Sequence, residues 1–93
     1  MSSYMIPPRE REIIAGCARK FGAAYVLLFG SAAEKDSGYR DIDLGVDGVP
    51  SDDFFKFYGE LLRRLPRPVD VVDLSEDTAI TRFVSARGVK IYG

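Results

Sequence analysis

The chain has 93 residues, 46% of them hydrophobic and 29% charged, with 13 basic and 14 acidic residues for a formal charge of −1. This suits one small globular domain with a modest core; it excludes fibrous and disordered classes, leaves no room for a second substrate domain, and argues against bulk attraction to nucleic acid. There is no histidine and a single cysteine, which rules out Ser-His-Asp and Cys-His nucleophiles, the usual zinc sites and an internal disulfide.

The first eight residues carry no signal-like pattern and no stretch reaches membrane-spanning length, so the expectation is a cytoplasmic protein. Pro7 and Pro8 suit the start of a helix running from about Arg9 to Phe21, with Ile13, Ile14, Cys17, Ala18 and Phe21 at helical spacing and Gly22 as its stop. Cys17 is thereby assigned to the core. Ala24 to Phe29 is a short continuous apolar run between glycines, as expected of a strand buried on both faces. Gly30-Ser31 follows, then a short helical turn from Ala32 to Lys35 and a polar loop ending at Arg40.

A second strand is expected from Asp41 to Val46, broken by Asp47-Gly48-Val49-Pro50. Ser51 is the expected N-cap of a helix to Leu65 with the stripe Phe54, Phe57, Tyr58, Leu61, Leu62 and Leu65; Phe55 lies toward its flank and hints at a partner surface. Pro66 and Pro68 end that helix before a third strand from Val69 to Leu74. Ser75 is the expected cap of a last helix with Ile80, Phe83 and Val84 inward, and a short strand, Val89 to Tyr92, closes the domain. The alternation predicts an α+β domain: a small mixed sheet of about four strands covered by helices, one unit over residues 1–93.

The chemistry concentrates in three places. Alternation along a strand projects Asp41 and Asp43 to one face and sends Ile42 and Leu44 to the core. Two carboxylates about 5 Å apart at an effective dielectric of about 20 repel by roughly 3 kcal/mol, a penalty that a divalent cation converts into affinity. Gly30-Ser31 before a helical turn offers backbone N–H groups and a hydroxyl to an anion, although such a turn is more often only a turn. Asp70 interrupts an apolar strand; if that strand lies beside the second, it completes a three-carboxylate cluster, whereas Asp73 reads as a solvated strand end. The alternative for the acids is a wet face paired with a cation such as Arg40. An EF-hand is discarded, because its twelfth position would be Phe54. Arg63, Arg64 and Arg67 suit a helix end for dipole reasons.

Gly30-Ser31, Asp41-Ile42-Asp43-Leu44 and Val69-Asp70-Val71-Val72-Asp73-Leu74 together resemble the DNA polymerase β-like nucleotidyltransferase superfamily. The short length and the ending Phe83-Val84-Ser85-Ala86-Arg87-Gly88-Val89-Lys90-Ile91-Tyr92 resemble its minimal nucleotidyltransferases, the antitoxins of HEPN-domain toxins. The resemblance spans about Arg9 to Tyr92. It implies the polymerase β-like fold, two Mg²⁺ ions held by Asp41, Asp43 and Asp70 as catalytic and metal-binding residues, and ATP as substrate with its phosphates gripped by Gly30 and Ser31. It further implies transfer of AMP to a tyrosine of a HEPN toxin, the action of a type VII antitoxin. Where the family carries an arginine and a glycine after Gly-Ser and a serine before the first aspartate, this chain has Ala32, Lys35 and Arg40; Lys35 and Arg40 become candidate triphosphate ligands. The other readings left open are a partner-binding antitoxin acting by contact alone, transfer to a small molecule, and an oligomeric state the residues do not define.

Overall fold

A computed structural model describes residues 6–30 and 41–93. The elements in chain order are α1 (Pro8–Lys20), β1 (Tyr25–Phe29), β2 (Ile42–Asp47), α2 (Ser51–Arg64), β3 (Val69–Asp73), α3 (Ala79–Arg87) and β4 (Val89–Tyr92). The expected turn from Ala32 to Lys35 lies outside the described residues. The strands form one mixed sheet in the order β3-β2-β1-β4, with β1 antiparallel to β2 and β4 and with β2 parallel to β3. The expected α+β architecture with a four-stranded mixed sheet is therefore present.

The two faces of the sheet are covered unequally. Val26, Leu28, Ile42, Leu44, Val46, Val69 and Val71 alternate along their strands onto one face, where they join Ile14, Cys17 and Ala18 of α1 and Phe57 and Leu61 of α2 in a single core. Among the described residues, α3 is the helix that covers the opposite face. Its close approach depends on Gly45, where a Cβ would stand 2.7 Å from Val84 Cγ1 and 3.0 Å from Leu74 Cδ2. The glycine of β2 thus lets fully buried Val84 settle onto the strand.

Buried acids clamp the helices to one another. Glu60 accepts from Lys20 Nζ at 2.8 Å and from Arg64 Nη1 at 3.4 Å, and Glu10 accepts the Arg67 guanidinium at 2.9 and 3.0 Å in a two-point pair. Arg64 and Arg67 therefore answer specific carboxylates and not merely a helix dipole. Cys17 is buried as expected, and its thiol donates to Glu60 Oε2 at 3.6 Å; burial pushes that thiol upward in pKa and keeps it protonated.

Several expectations at the helices need correction. Ser51 is the first residue of α2 behind Pro50, and no side chain caps that end. Leu62 is 52% exposed, because the inward places of α2 go to Phe57, Glu60 and Leu61. Ser75 does not cap α3: its N–H and hydroxyl both donate to Asp73 Oδ1, at 3.0 and 2.7 Å, which ties it to the end of β3. The cap is Thr78, whose Oγ1 accepts from the Thr81 N–H at 3.2 Å while Thr81 Oγ1 accepts from the Thr78 N–H at 2.9 Å. This reciprocal box commits Thr81 to the interior beside Val84 and turns Ile80 and Phe83 outward, each 52% exposed. Thr78→Ala is expected to lower stability by about 1 kcal/mol in urea unfolding, the usual cost of a lost N-cap; Ser75→Ala should leave α3 intact.

Candidate active site

The site is built where the end of β1 meets the beginnings of β2 and β3. In the parallel pair Asp43 stands directly opposite Asp70, and in the antiparallel pair it stands opposite Phe29, the residue before Gly30. Adjacent strands run about 4.8 Å apart, so Asp43 and Asp70, in register, occupy the same face as neighbours. This is the face of Gly45 and α3, opposite the main core. Asp41, the expected first residue of the strand, is exposed and immediately precedes β2, which begins one residue later at Ile42.

The electrostatics follow from this register. Asp43 is half-buried, and burial, followed by the charges of Asp70 and Asp41, raises its pKa from the ordinary 3.8. Asp41 and Asp70 thus both bear on the charge of Asp43. Among the described residues no three Asp, Glu, Cys or His side chains are already gathered into a cage. An all-oxygen, mutually repelling donor set, without thiolate or imidazole, is the chemistry that suits a hard divalent cation such as Mg²⁺.

Gly30 is the other half of the geometry. Its φ is +73°, in the left-handed region, and a Cβ there would overlap Asp43 Oδ2. The chain leaves β1 against the carboxylate, so closely that a side chain at position 30 would have to push it aside. Gly30→Ala is expected to cost about 1–2 kcal/mol for the left-handed backbone and to displace the Asp43 carboxylate, which yields as the end of a short side chain. Urea unfolding reads the first effect, and Mn²⁺ titration in the presence of a nucleotide reads the second. Ser31, Lys35 and Arg40, along with Ala32, lie outside the described residues.

One residue of the site had been assigned only to the core stripe. Tyr58 of α2 is half-buried against the core, yet its hydroxyl donates to Asp70 Oδ1 at 3.2 Å. Burial first, then its hydrogen bond to Asp70 and that group's charge, raise the pKa of its phenol. The signal in the sequence was a stripe position with a polar tip, which helical spacing alone does not connect to Asp70. Asp73 holds Ser75 at the strand end, as its placement had suggested. Beyond Tyr58, a groove of about 550 Å³ follows the outer edge of β3, lined by Phe54, Phe55, Val71 and Ile80 among others; it includes none of Asp41, Asp43 and Asp70.

A sequence model of the family described as Polymerase beta, Nucleotidyltransferase matches residues 11–93. The chain belongs to the polymerase beta nucleotidyltransferase family. No curated protein matches it at the sequence level. Among solved structures, it is similar to a chain of the MntA-HepT toxin-antitoxin, with 20% identity and a TM-score of 0.71 over 94% of this chain and 73% of that one. It is similar to a chain of a toxin-antitoxin with AMP-PNP, with 22% identity and a TM-score of 0.73 over 89% and 73%. A third similarity is to a chain of the complex between a tri-AMPylated Shewanella oneidensis HEPN toxin and its MNT antitoxin, with 23% identity and a TM-score of 0.70 over 91% and 71%. At these identities the structural likenesses establish the nucleotidyltransferase fold, which agrees with the sheet order and with Asp43 and Asp70 in register on one face.

Proposed function

We propose that this nucleotidyltransferase-family chain is a Mg²⁺-dependent enzyme that moves AMP from ATP to a tyrosine hydroxyl of a HEPN-domain toxin, and so acts as its antitoxin. The observation that carries the reading is the register of Asp43 with Asp70, beside a positive-φ glycine packed against the Asp43 carboxylate. The toxin-antitoxin complexes that share the fold, one with AMP-PNP and one with an AMPylated toxin, support the choice of nucleotide and acceptor.

Asp41 and Asp43 would hold both metal ions, and Asp70 the one on the acceptor side. When bound, the ions would lower the pKa of the acceptor hydroxyl and neutralise charge on the phosphates. Asp70 would take the acceptor's proton as its oxygen attacks the α-phosphorus and the bond to pyrophosphate breaks. Gly30 and Ser31 would hold the β and γ phosphates, with Lys35 and Arg40 adding positive charge.

The test is to incubate the chain with its purified HEPN partner, Mg²⁺ and ATP labelled at either the α or the γ phosphorus. Label should pass to the partner from the α position only. No label on a partner that binds the chain overturns the reading. Neutralisation by contact alone draws on Phe55, 83% exposed, and Leu62, 52% exposed, seven residues apart on one outer face of α2. Replacing Asp41 and Asp43 together by asparagine separates the two: contact inhibition survives the change and transfer does not.

A further inference from the structure

Asp70 is exposed and lies on β3, which among the described strands is at the edge of the sheet beside β2. A carboxylate in that position is free to change rotamer, and the like charge of Asp43, directly opposite, favours its turning away. The group that reaches it from α2 is Tyr58. The ring is partly buried against the core, and the hydroxyl donates to Asp70 Oδ1 at 3.2 Å. Phenylalanine would fill the same space with the ring, so the hydroxyl contributes this bond and little packing.

We propose that Tyr58 is a positioning residue for Asp70, holding its carboxylate beside Asp43 so that a shared divalent cation finds both donors already placed. The inference rests on the nucleotide-transfer reading of Asp41, Asp43 and Asp70. The bond occupies one oxygen of Asp70 and partly disperses its charge, which eases the repulsion from Asp43 before any cation arrives. A tyrosine that merely turned its polar tip toward water at a sheet edge would affect stability alone. A positioning tyrosine affects metal affinity through Asp70.

The experiment uses the full chain as wild type, Tyr58→Phe, Asp70→Asn and the double variant. Mn²⁺ is titrated in the presence of AMP-PNP, with the free ion read by electron paramagnetic resonance, and urea unfolding is followed in parallel. Tyr58→Phe should weaken Mn²⁺ binding roughly tenfold, the lower end of what outer partners of metal ligands contribute. It should add nothing further in the Asp70→Asn background. In transfer assays with the HEPN partner, Tyr58→Phe should need roughly tenfold more Mg²⁺ for its half-maximal rate, and excess Mg²⁺ should restore most of that rate. Wild-type Mn²⁺ affinity in Tyr58→Phe overturns the proposal, as does the same loss with and without Asp70. If the wild type binds Mn²⁺ and Tyr58→Phe weakens it as expected but no AMP is transferred, positioning is upheld and the transfer reading falls. If the wild type binds no Mn²⁺ in the presence of AMP-PNP, the positioning proposal falls as well.

Discussion

Asp43→Asn is expected to stabilise the metal-free protein at neutral pH and to lower AMP transfer by roughly a hundredfold or more, the scale of losing one preorganised charge-stabilising group. The two effects share one cause. Burial and the charges of Asp70 and Asp41 raise the pKa of Asp43 in the native state above the ordinary 3.8. Between that value and the raised native one, the folded chain binds more protons than the unfolded chain, so stability falls as pH rises through the window. The penalty is fully present at neutral pH and is relieved as pH falls through the raised native value. Asparagine has no charge to desolvate and cannot titrate, so the variant should be more stable at pH 7 and lose this part of the pH dependence. Urea unfolding from pH 4 to 7 without metal checks the sign. Addition of Mg²⁺ with AMP-PNP should then reverse the order, raising the melting temperature of the wild type and not of the variant. An Asp43→Asn protein that is less stable at pH 7 without metal, or that transfers AMP at the wild-type rate, contradicts the account of the site.

Phe57→Ala is expected to be the most damaging truncation in the main core. Phe57 is fully buried on α2 and meets Phe21 edge-on, with ring centroids 5.8 Å apart and planes at 72°. It sits where α2, the C-terminal end of α1 and the sheet converge in one cluster. Removal of such a ring costs about 3–5 kcal/mol in lost transfer energy and cavity. A domain of this length has roughly 5–15 kcal/mol in total, so the variant retains little margin. The melting temperature should fall by about 15–30 °C, with one cooperative transition in circular dichroism. Phe57→Leu, which keeps much of the volume, should cost clearly less. A loss below about 1 kcal/mol in the alanine variant would mean that α2 does not rest on this ring. Because α2 also carries Tyr58, a loosened helix should weaken the Tyr58–Asp70 contact, and Mn²⁺ binding should decline along with stability.

The strands were legible in the sequence because their signals are local. An apolar run between glycines identified β1, and the alternation Asp41-Ile42-Asp43-Leu44 assigned a wet face and a core face to β2; Ile42 and Leu44 are fully buried. Helix positions around α3 were less legible, because a cap is a competition between neighbouring hydroxyls. Ser75 was the nearer candidate, but Asp73 had already captured it, and the reciprocal bonds of Thr78 with Thr81 rotated the stripe away from Ile80 and Phe83. A periodicity that counts only apolar residues cannot anticipate a buried threonine or the buried glutamates at positions 10 and 60.

The residues alone determined the strand and helix types of the described elements, the core face of β2 and the acids available for chemistry, because these follow from side-chain alternation and composition within a few residues. Only the tertiary structure decided which acids become neighbours. Pairing of β2 with β3 sets Asp43 opposite Asp70 across a span of sequence that includes all of α2, the return from β1 sets Gly30 against the Asp43 carboxylate, and the seat of α2 on β3 brings Tyr58 to Asp70. Strand partners and helix seats are chosen by how the whole core packs, and no local spacing encodes that choice.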